Sequence, residues 1–234
     1  MDFTDRNVVV TGGTGALGTA VVAALLDAGA TVHVPAFEAE VSAAWPHRGH
    51  PRVSVVTSQD LSDEDTVTAF YAALPSLWAS IHCAGGFVIA PVAETSLRTF
   101  RTQLDRNLVS AFLCCREAIK SIRRTGGQGG RIVNVTARPA LEPRLGVGSS
   151  AYVASKAGLA AMTQAIAQEV SGEGIWVNAV APSLIDTPAN RESMPKADHS
   201  RWPSTDALAA TMVWLAAPEN QATRGALVPQ YGRT

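Results

Sequence analysis

Two residues in the segment SSAYVASKAG, at 149–158, have the types and the spacing for acid–base chemistry. Tyr152 and Lys156 are four residues apart, so a helix would place both side chains on one face. An ammonium group beside a phenol favours the phenolate and lowers the pKa of the tyrosine. The pair therefore predicts a tyrosine that transfers a proton near neutral pH, with an exposed helical pair of no function as the alternative.

A glycine-rich segment, TGGTGALG at 11–18, directly follows a β-branched run and opens a stretch of helical character. Glycines at such a turn let the backbone approach a pyrophosphate, and the helix N-terminus supplies N–H donors. A strand before the segment and a helix after it are the context of a dinucleotide site. We therefore expect cofactor contacts from Gly12, Thr14, Gly15, Ala16, Leu17 and Gly18.

The residues after the second β-branched run bear on the choice of dinucleotide. Sites of this kind place an acid there for the ribose 2′-hydroxyl, or a basic residue for a 2′-phosphate. Ala36 and Phe37 stand there in this chain and can do neither. The choice between NAD and NADP stays open, with a lean to NAD because Glu38 and Glu40 are close enough to repel a phosphate.

Asp60 and Leu61, after the third run, suit the adenine ring. The carboxylate would accept from the adenine amino group, and the leucine would form an apolar wall. An equally supported alternative is that Asp60 caps the helix that follows.

Short β-branched runs alternate with longer stretches of helical periodicity along the whole chain. This alternation predicts an α/β fold, a Rossmann-type doubly wound parallel sheet with helices on both faces, in a single domain over 1–234. The predicted strands are 7–11, 31–34, 53–56, 80–83, 131–135 and 175–180.

The segment 183–204 is polar, contains three prolines and has no clear period. An ordered excursion of this length in a compact domain is usually functional, so the segment predicts a substrate loop, with a disordered surface loop as the alternative. The large apolar side chains of Met194 and Trp202 indicate that the segment is packed rather than disordered. They would form an apolar cover over the substrate.

Composition excludes several classes of partner. The chain has 19 Lys+Arg against 20 Asp+Glu, which argues against nucleic acid and acidic membrane surfaces. Three cysteines, Cys83, Cys114 and Cys115, lack metal-ligand spacing, so we expect reduced core residues and no metal site. The first residues lead into a strand without a signal-like segment, and no apolar run is long enough to cross a bilayer. These observations predict a cytoplasmic protein.

The order of these pieces resembles the short-chain dehydrogenase/reductase family from end to end. The glycine segment is followed by Asp60-Leu61, AGG at 84–86, Asn107 in LDRNLVSAF, the Tyr152-Lys156 pair, and VNAVAPSLIDTP at 177–188. The resemblance implies an NAD(P)-dependent oxidoreductase acting on a small organic molecule. It implies that Tyr152 is the general acid or base, that Lys156 lowers its pKa and holds the nicotinamide ribose, and that Asn107 anchors a water-linked proton relay.

The resemblance also implies further contacts and an assembly. Cofactor contacts would come from Ala84, Gly85, Pro182, Ile185 and Thr187. The family typically pairs the helices at about 96–124 and 150–171 between subunits, and these segments are apolar over more than one face. We therefore expect a homo-oligomer, a tetramer or a dimer.

The chain departs from the family pattern where a catalytic serine normally polarises the substrate carbonyl. Ala137 stands at that place, with Thr136, Ser149 and Ser150 as candidate substitutes. Losing one such donor costs about 3 kcal/mol of barrier. An electron-poor conjugated ring spreads the incoming charge, so the expected acceptor is a quinonoid pterin or a quinone rather than a simple ketone.

Two further segments bear on the branch of the family. His82 and Cys83 replace two asparagines, which would weaken a structural hydrogen-bond site. Together with Ala137, IHCAGGF at 81–87 and above all DTPANRESMPKADHSRW at 186–202 look like dihydropteridine reductases. The alternatives are an ordinary ketone or 3-oxoacyl reductase and a non-catalytic dinucleotide-binding regulator.

Overall fold

The computed structural model describes residues 1–124 and 129–234, and the sheet within them has seven strands. They are β1 (Asn7–Thr11), β2 (Thr31–Pro35), β3 (Val53–Val56), β4 (Ala79–His82), β5 (Gly130–Val135), β6 (Ile175–Pro182) and β7 (Leu227–Gln230). Their order is β3-β2-β1-β4-β5-β6-β7, and every neighbouring pair is parallel.

Helices form most of the connections between the parallel strands, whereas the connection from β2 to β3, at 36–52, contains no helix. They are α1 (Ala16–Asp27), α2 (Glu64–Ala72), α3 (Leu97–Leu104), α4 (Ser110–Arg124), α5 (Arg138–Leu141), α6 (Ser150–Glu169), α7 (Pro188–Ser193) and α8 (Thr205–Ala216). A π-helical turn, Asp105–Val109, joins α3 to α4.

Both faces of the sheet are covered. Val8 and Val10 pack into a core with side chains of α1 and α8, whereas Val9 packs with α2 and α4 on the opposite face. Successive side chains of a strand point to opposite faces, so the three consecutive valines of β1 contribute side chains to both hydrophobic cores. The predicted doubly wound α/β fold is confirmed.

All six predicted strands are present, within two residues at each end, and β7 was missed. β7 has four residues and contains Pro229, which cannot donate to a sheet ladder. It lies at the edge of the sheet beside β6, a place that tolerates a proline. Its short, interrupted pattern gave no strand signal.

The strand order reverses between β1 and β4, and ligands of open α/β sheets bind at the carboxyl ends of the strands at such a point. The segments that follow β1, β4, β5 and β6 meet at this edge. Among the described residues, no helix is long and apolar enough to cross a membrane. The same residues contain no group of three or more His, Cys, Asp or Glu side chains that could hold a metal ion.

Candidate active site

The turn after β1 has free backbone donors. Gly15 is the N-cap of α1, it offers no side-chain hydrogen bond, and the first turn of the helix contains no acid. The N–H groups at the start of α1 are therefore left for an anion. Gly12 has φ of 63°, and a Cβ there would lie 2.7 Å from the Ala84 nitrogen. The turn thus fits the pyrophosphate of a dinucleotide.

A cavity of about 450 Å³ lies beside this turn. Of the residues expected around the cofactor, it is lined by Gly12, Thr14, Asp60, Leu61, Ala84 and Gly85. Gly15, Ala16 and Gly18 lie in the turn and the start of α1 but do not line the cavity. A Cβ at Gly18 would collide with the Gly12 carbonyl oxygen, so Gly18 keeps the turn itself closed.

Asp60 lies at the wall of this cavity and does not cap α2. Its carboxylate accepts from the Ser62 N–H at 2.9 Å and from the Ser62 hydroxyl at 2.7 Å. The N-cap of α2 is Asp63, which accepts from the Thr66 N–H at 2.8 Å. The capping alternative for Asp60 is therefore wrong.

A second cavity, of about 540 Å³, contains the Tyr152-Lys156 pair. Both side chains come from α6, and Leu17, Pro182 and Ile185 line the same space. Gly85 lines this cavity and the first one, so the two cavities adjoin at the loop after β4. The helix thus brings the predicted acid–base pair to the edge of the sheet where the glycine turn lies.

The protonation of the pair differs from the expectation. Lys156 donates from Nζ to the Val135 carbonyl oxygen at 2.7 Å. Burial lowers the pKa of Lys156 to about 8 and raises the pKa of Tyr152 to about 12. The expected lowering of the tyrosine pKa is wrong, because desolvation disfavours the charged form of each group.

Asn107 lies in the π-helical turn between α3 and α4 and is 1% exposed. Its Oδ1 accepts from the Gly86 N–H at 2.9 Å, and its Nδ2 donates to the Gly86 carbonyl at 2.9 Å and to Ser155 Oγ at 3.1 Å. Ser155 in turn donates to the Tyr152 carbonyl at 2.7 Å. Asn107 therefore ties the loop after β4 to α6, and its role in a proton relay stays a prediction.

Phe87 is a site residue that the sequence did not indicate. Its ring lies edge-on to the Tyr152 ring, with centroids 4.7 Å apart and planes at 81°. The side chain is 56% exposed, and it forms a wall of the cavity beside the phenol. A single phenylalanine in an irregular, largely apolar loop has no periodicity that could have pointed to this contact.

Of the three candidate substitutes for the missing serine, Thr136 lines the catalytic cavity, and Ser149 and Ser150 do not. Ala137 lines the catalytic cavity, as does Thr136, whose hydroxyl oxygen is buried without a hydrogen-bond partner among the described residues. Ser149 donates to the Gly146 carbonyl at 3.0 Å, and neither Ser149 nor Ser150 lines the cavity. The catalytic cavity is therefore lined by three hydroxyl-bearing residues, Tyr152, Thr136 and Ser183, and the Ser183 hydroxyl donates to the Tyr231 carbonyl at 2.9 Å.

His82 rebuilds the hydrogen-bond site where the family has asparagine. Its Nδ1 lies 2.8 Å from Asn134 Oδ1, and its Nε2 lies 2.8 Å from Ser80 Oγ. Burial lowers the pKa of His82 to about 4, so the ring is neutral and links β4 to β5. His82 thus keeps two side-chain hydrogen-bond contacts at this site, the expected weakening stays a prediction, and Cys83 lines the catalytic cavity as a half-buried free thiol.

The segment 183–204 is ordered and folds around α7. Ile185 and Leu184 line the catalytic cavity, but Thr187 does not; its hydroxyl accepts from the Asn190 N–H at 3.2 Å and caps α7. Met194 and Trp202 also lie outside the cavity wall. The cofactor contact expected from Thr187 and the cover expected from Met194 and Trp202 therefore stay predictions.

Comparisons with known proteins identify the family. The model of the short chain dehydrogenase family matches residues 6–198. The 2,3-dihydroxy-2,3-dihydro-p-cumate dehydrogenase of Pseudomonas putida is 32% identical over 187 residues, which cover 76% of this chain and 70% of that protein. The cis-4-hydroxycyclohexanecarboxylate dehydrogenase of Sinomonas cyclohexanicum is 34% identical over 194 residues, with coverages of 80% and 76%. A solved structure of ElxO with NADP bound is similar in fold, with a TM-score of 0.86 and 22% identity over 97% of both chains.

The chain belongs to the short-chain dehydrogenase family. It is an oxidoreductase of that family, and the family binds NAD or NADP. The assignment made from the sequence is confirmed. The similarity to dihydropteridine reductases stays a prediction.

Proposed function

We propose that the protein transfers a hydride between a nicotinamide dinucleotide and a small organic molecule in the cavity beside Tyr152. The observation that carries this proposal is that the cavity at the glycine turn and the cavity of the Tyr152-Lys156 pair adjoin at Gly85. One extended ligand can pass from Thr14 at the glycine turn to Lys156 on α6. Oxidation of NADH or NADPH with a panel of pterins, quinones and ketones tests it.

The bound dinucleotide would supply or accept the hydride. Tyr152 keeps its proton at neutral pH, because burial raises its pKa to about 12, and it donates that proton to the reduced acceptor. Lys156 Nζ lies close to Gly85, because a Cβ on Gly85 would be 3.3 Å from it. From this position the ammonium group would hold the nicotinamide ribose. The intact Tyr152, Lys156 and Asn107 argue against the non-catalytic regulator.

For the acceptor, we propose a conjugated ring such as a quinonoid pterin or a quinone. Ala137 removes one of the two hydroxyl donors that would stabilise a ketone oxygen as it gains charge. Apolar side chains, including Phe87, Leu145, Leu184 and Ile185, surround Tyr152 and suit a flat ring. The names of the relatives favour a second candidate, a ring-bearing alcohol or diol that is oxidised.

Ala137→Ser tests the conjugated-ring proposal against a plain ketone. We expect the added hydroxyl to raise kcat/KM for β-ketoesters about tenfold, since a positioned donor is worth a hundredfold or so when fully aligned, and to leave quinones nearly unchanged. Steady-state rates with dihydropteridines, quinones and β-ketoesters give the comparison. A wild type that prefers a plain ketone, or a serine without effect on ketones, would contradict the conjugated-ring proposal.

We also propose a homo-oligomer. Leu97 on α3 is 61% exposed and Phe112 on α4 is 45% exposed, on the helices expected to pair between subunits. Burying such side chains favours association. Sedimentation at micromolar concentration is expected to show a dimer or a tetramer, and a monomer there would contradict the proposal. The cytoplasmic location stays a prediction.

A further inference from the structure

A third cavity lies at the edge of the sheet opposite the active site. Its volume is about 640 Å³, and its wall comes from the segments that enter β1, β4, β5 and β6. The amino ends of parallel strands share one edge, so the length of the strands separates this cavity from the catalytic one. None of the described residues that line it lines either of the other two cavities. The proposed reaction therefore does not account for it.

Two arginines and two tryptophans form a stack in the wall of this cavity. The guanidinium carbon of Arg6 lies 4.1 Å from the centre of the Trp78 ring. The guanidinium carbon of Arg131 lies 5.1 Å from the Trp78 ring and 4.3 Å from the Trp176 ring. Trp78 is fixed by its own hydrogen bond, from Nε1 to the Ala216 carbonyl at 2.9 Å. The stack therefore holds two cations against one indole ring.

Arg131 is a buried cation without a carboxylate partner. It is 5% exposed, and it donates to the carbonyls of Gly130 at 2.9 Å, Gly174 at 3.3 Å and Asn220 at 2.7 Å. Its Nε is buried and donates to no described residue. Burial, and after it the charge of Arg6, lower the pKa of Arg131 to about 10. The guanidinium therefore stays charged at neutral pH, with carbonyl dipoles and ring faces around it in place of a negative charge.

Arg6 is half-buried and likewise has no ion-pair partner. Apart from the contact with Trp78, its side chain makes no hydrogen bond or ion pair with any described residue. Asp5 lines the cavity, and Asp2 lies near enough for a Coulombic interaction with Arg6, but neither carboxylate forms an ion pair with it. The four residues outside the described ranges, 125–128, include no acid. Two cations and one acid thus line the cavity, which leaves it with a net positive charge.

We propose that this cavity binds a small anion, a molecule whose phosphate or carboxylate group contacts the Arg6 guanidinium close to Arg131. Two like charges held together repel each other, and an anion between them and the solvent relieves that repulsion. Guanidinium groups bind phosphate and carboxylate through parallel N–H bonds. The volume is within the range of small-molecule sites. The site is separate from the dinucleotide and the substrate, so the inference stands apart from the proposed function.

The test is calorimetric titration with inorganic phosphate and with succinate. Wild type is expected to bind at least one of them with a dissociation constant of about 1 mM or below, and Arg6→Gln to weaken that binding about tenfold or more, because charge-assisted hydrogen bonds are lost. Tighter phosphate binding identifies a phosphate ligand, and tighter succinate binding identifies a carboxylate ligand. The matched control is Arg48→Gln. Arg48 pairs with Glu40 at 3.6 Å and does not line this cavity, so the affinity should stay unchanged.

A phosphate ion also suits the glycine turn, so the titration is repeated with Gly15→Asp, which places a carboxylate there. Because that turn lies at the opposite edge of the sheet, binding at Arg6 should persist in this variant. Binding that Gly15→Asp removes and Arg6→Gln retains overturns the inference, as does a wild type that binds neither anion. Both results leave the proposed reaction intact.

Thermal unfolding checks that Arg6→Gln is folded. Without an anion, the variant should unfold within about 3 °C of wild type, because the lost ring contact is offset by the removed repulsion of Arg131. An anion that binds the folded state raises the unfolding temperature as its concentration rises. We expect this rise in wild type and Arg48→Gln, and a much smaller one in Arg6→Gln.

Discussion

Replacing Tyr152 by Phe is expected to lower the turnover of the reduction by about two orders of magnitude or more, the usual scale for losing a positioned general acid. The dinucleotide affinity should be nearly unchanged, because the phenol lies in the catalytic cavity and not at the glycine turn. The Phe87 ring packs edge-on against Tyr152, and a phenylalanine there retains that contact. The change thus removes the hydroxyl while the packing stays.

Steady-state turnover and NADH titration measure the two effects. Tyr231→Phe is the matched control, since Tyr231 stacks on Arg138 outside the catalytic cavity, and it should keep wild-type turnover. Lys156→Ala should lower both turnover and affinity. Near wild-type turnover in Tyr152→Phe would mean that the proton comes from another group.

The pH profile of the same reaction separates the two groups. Burial lowers the pKa of Lys156 to about 8, so its charge is present below pH 8 and lost above it. Tyr152 keeps its proton over this range, because burial raises its pKa to about 12. Turnover should therefore fall as pH rises through about 8, and Lys156→Arg should remove that fall because arginine stays charged.

Gly15→Asp is expected to weaken dinucleotide binding about a hundredfold or more. A carboxylate that faces the two negative charges of a pyrophosphate costs several kcal/mol of binding free energy. The protein should keep most of its stability, although a Cβ at Gly15 would lie 3.3 Å from the Gly12 carbonyl oxygen and requires a small shift of the turn. Gly15 is the N-cap of α1 with φ of −79° and ψ of 171°, an extended conformation that any residue adopts. Aspartate is a favoured N-cap residue, so helix α1 tolerates the change.

Gly15→Asn is the control with the same cap and no charge, and it should keep most of the affinity. Thermal unfolding of all three proteins checks that the turn is intact. Gly18 is unsuitable for this test, because a Cβ there collides with the Gly12 carbonyl and would disturb the turn itself. Tight binding by Gly15→Asp would show that the pyrophosphate does not lie on this turn.

The sequence by itself determined the features that depend on local pattern. Alternation of β-branched runs with helical periodicity predicted six of the strands in the described sheet. This was possible because strand and helix patterns can each be recognised from a short stretch of neighbouring residues. The glycine turn and the four-residue spacing of Tyr152 and Lys156 are likewise local. For that reason the sequence placed both halves of the site before any tertiary contact was known.

Only the tertiary structure decided the features that depend on residues far apart in the chain. Phe87 meets Tyr152, Asn107 meets Ser155, and Glu38 meets Thr14 across separations that no local period encodes. The tertiary structure also decided the pKa shifts of Tyr152 and Lys156, because the burial of these side chains depends on every element packed around α6. A phenol and an ammonium on one helical turn specify a proton-transfer pair, but the surrounding packing sets the pH at which each group holds its proton.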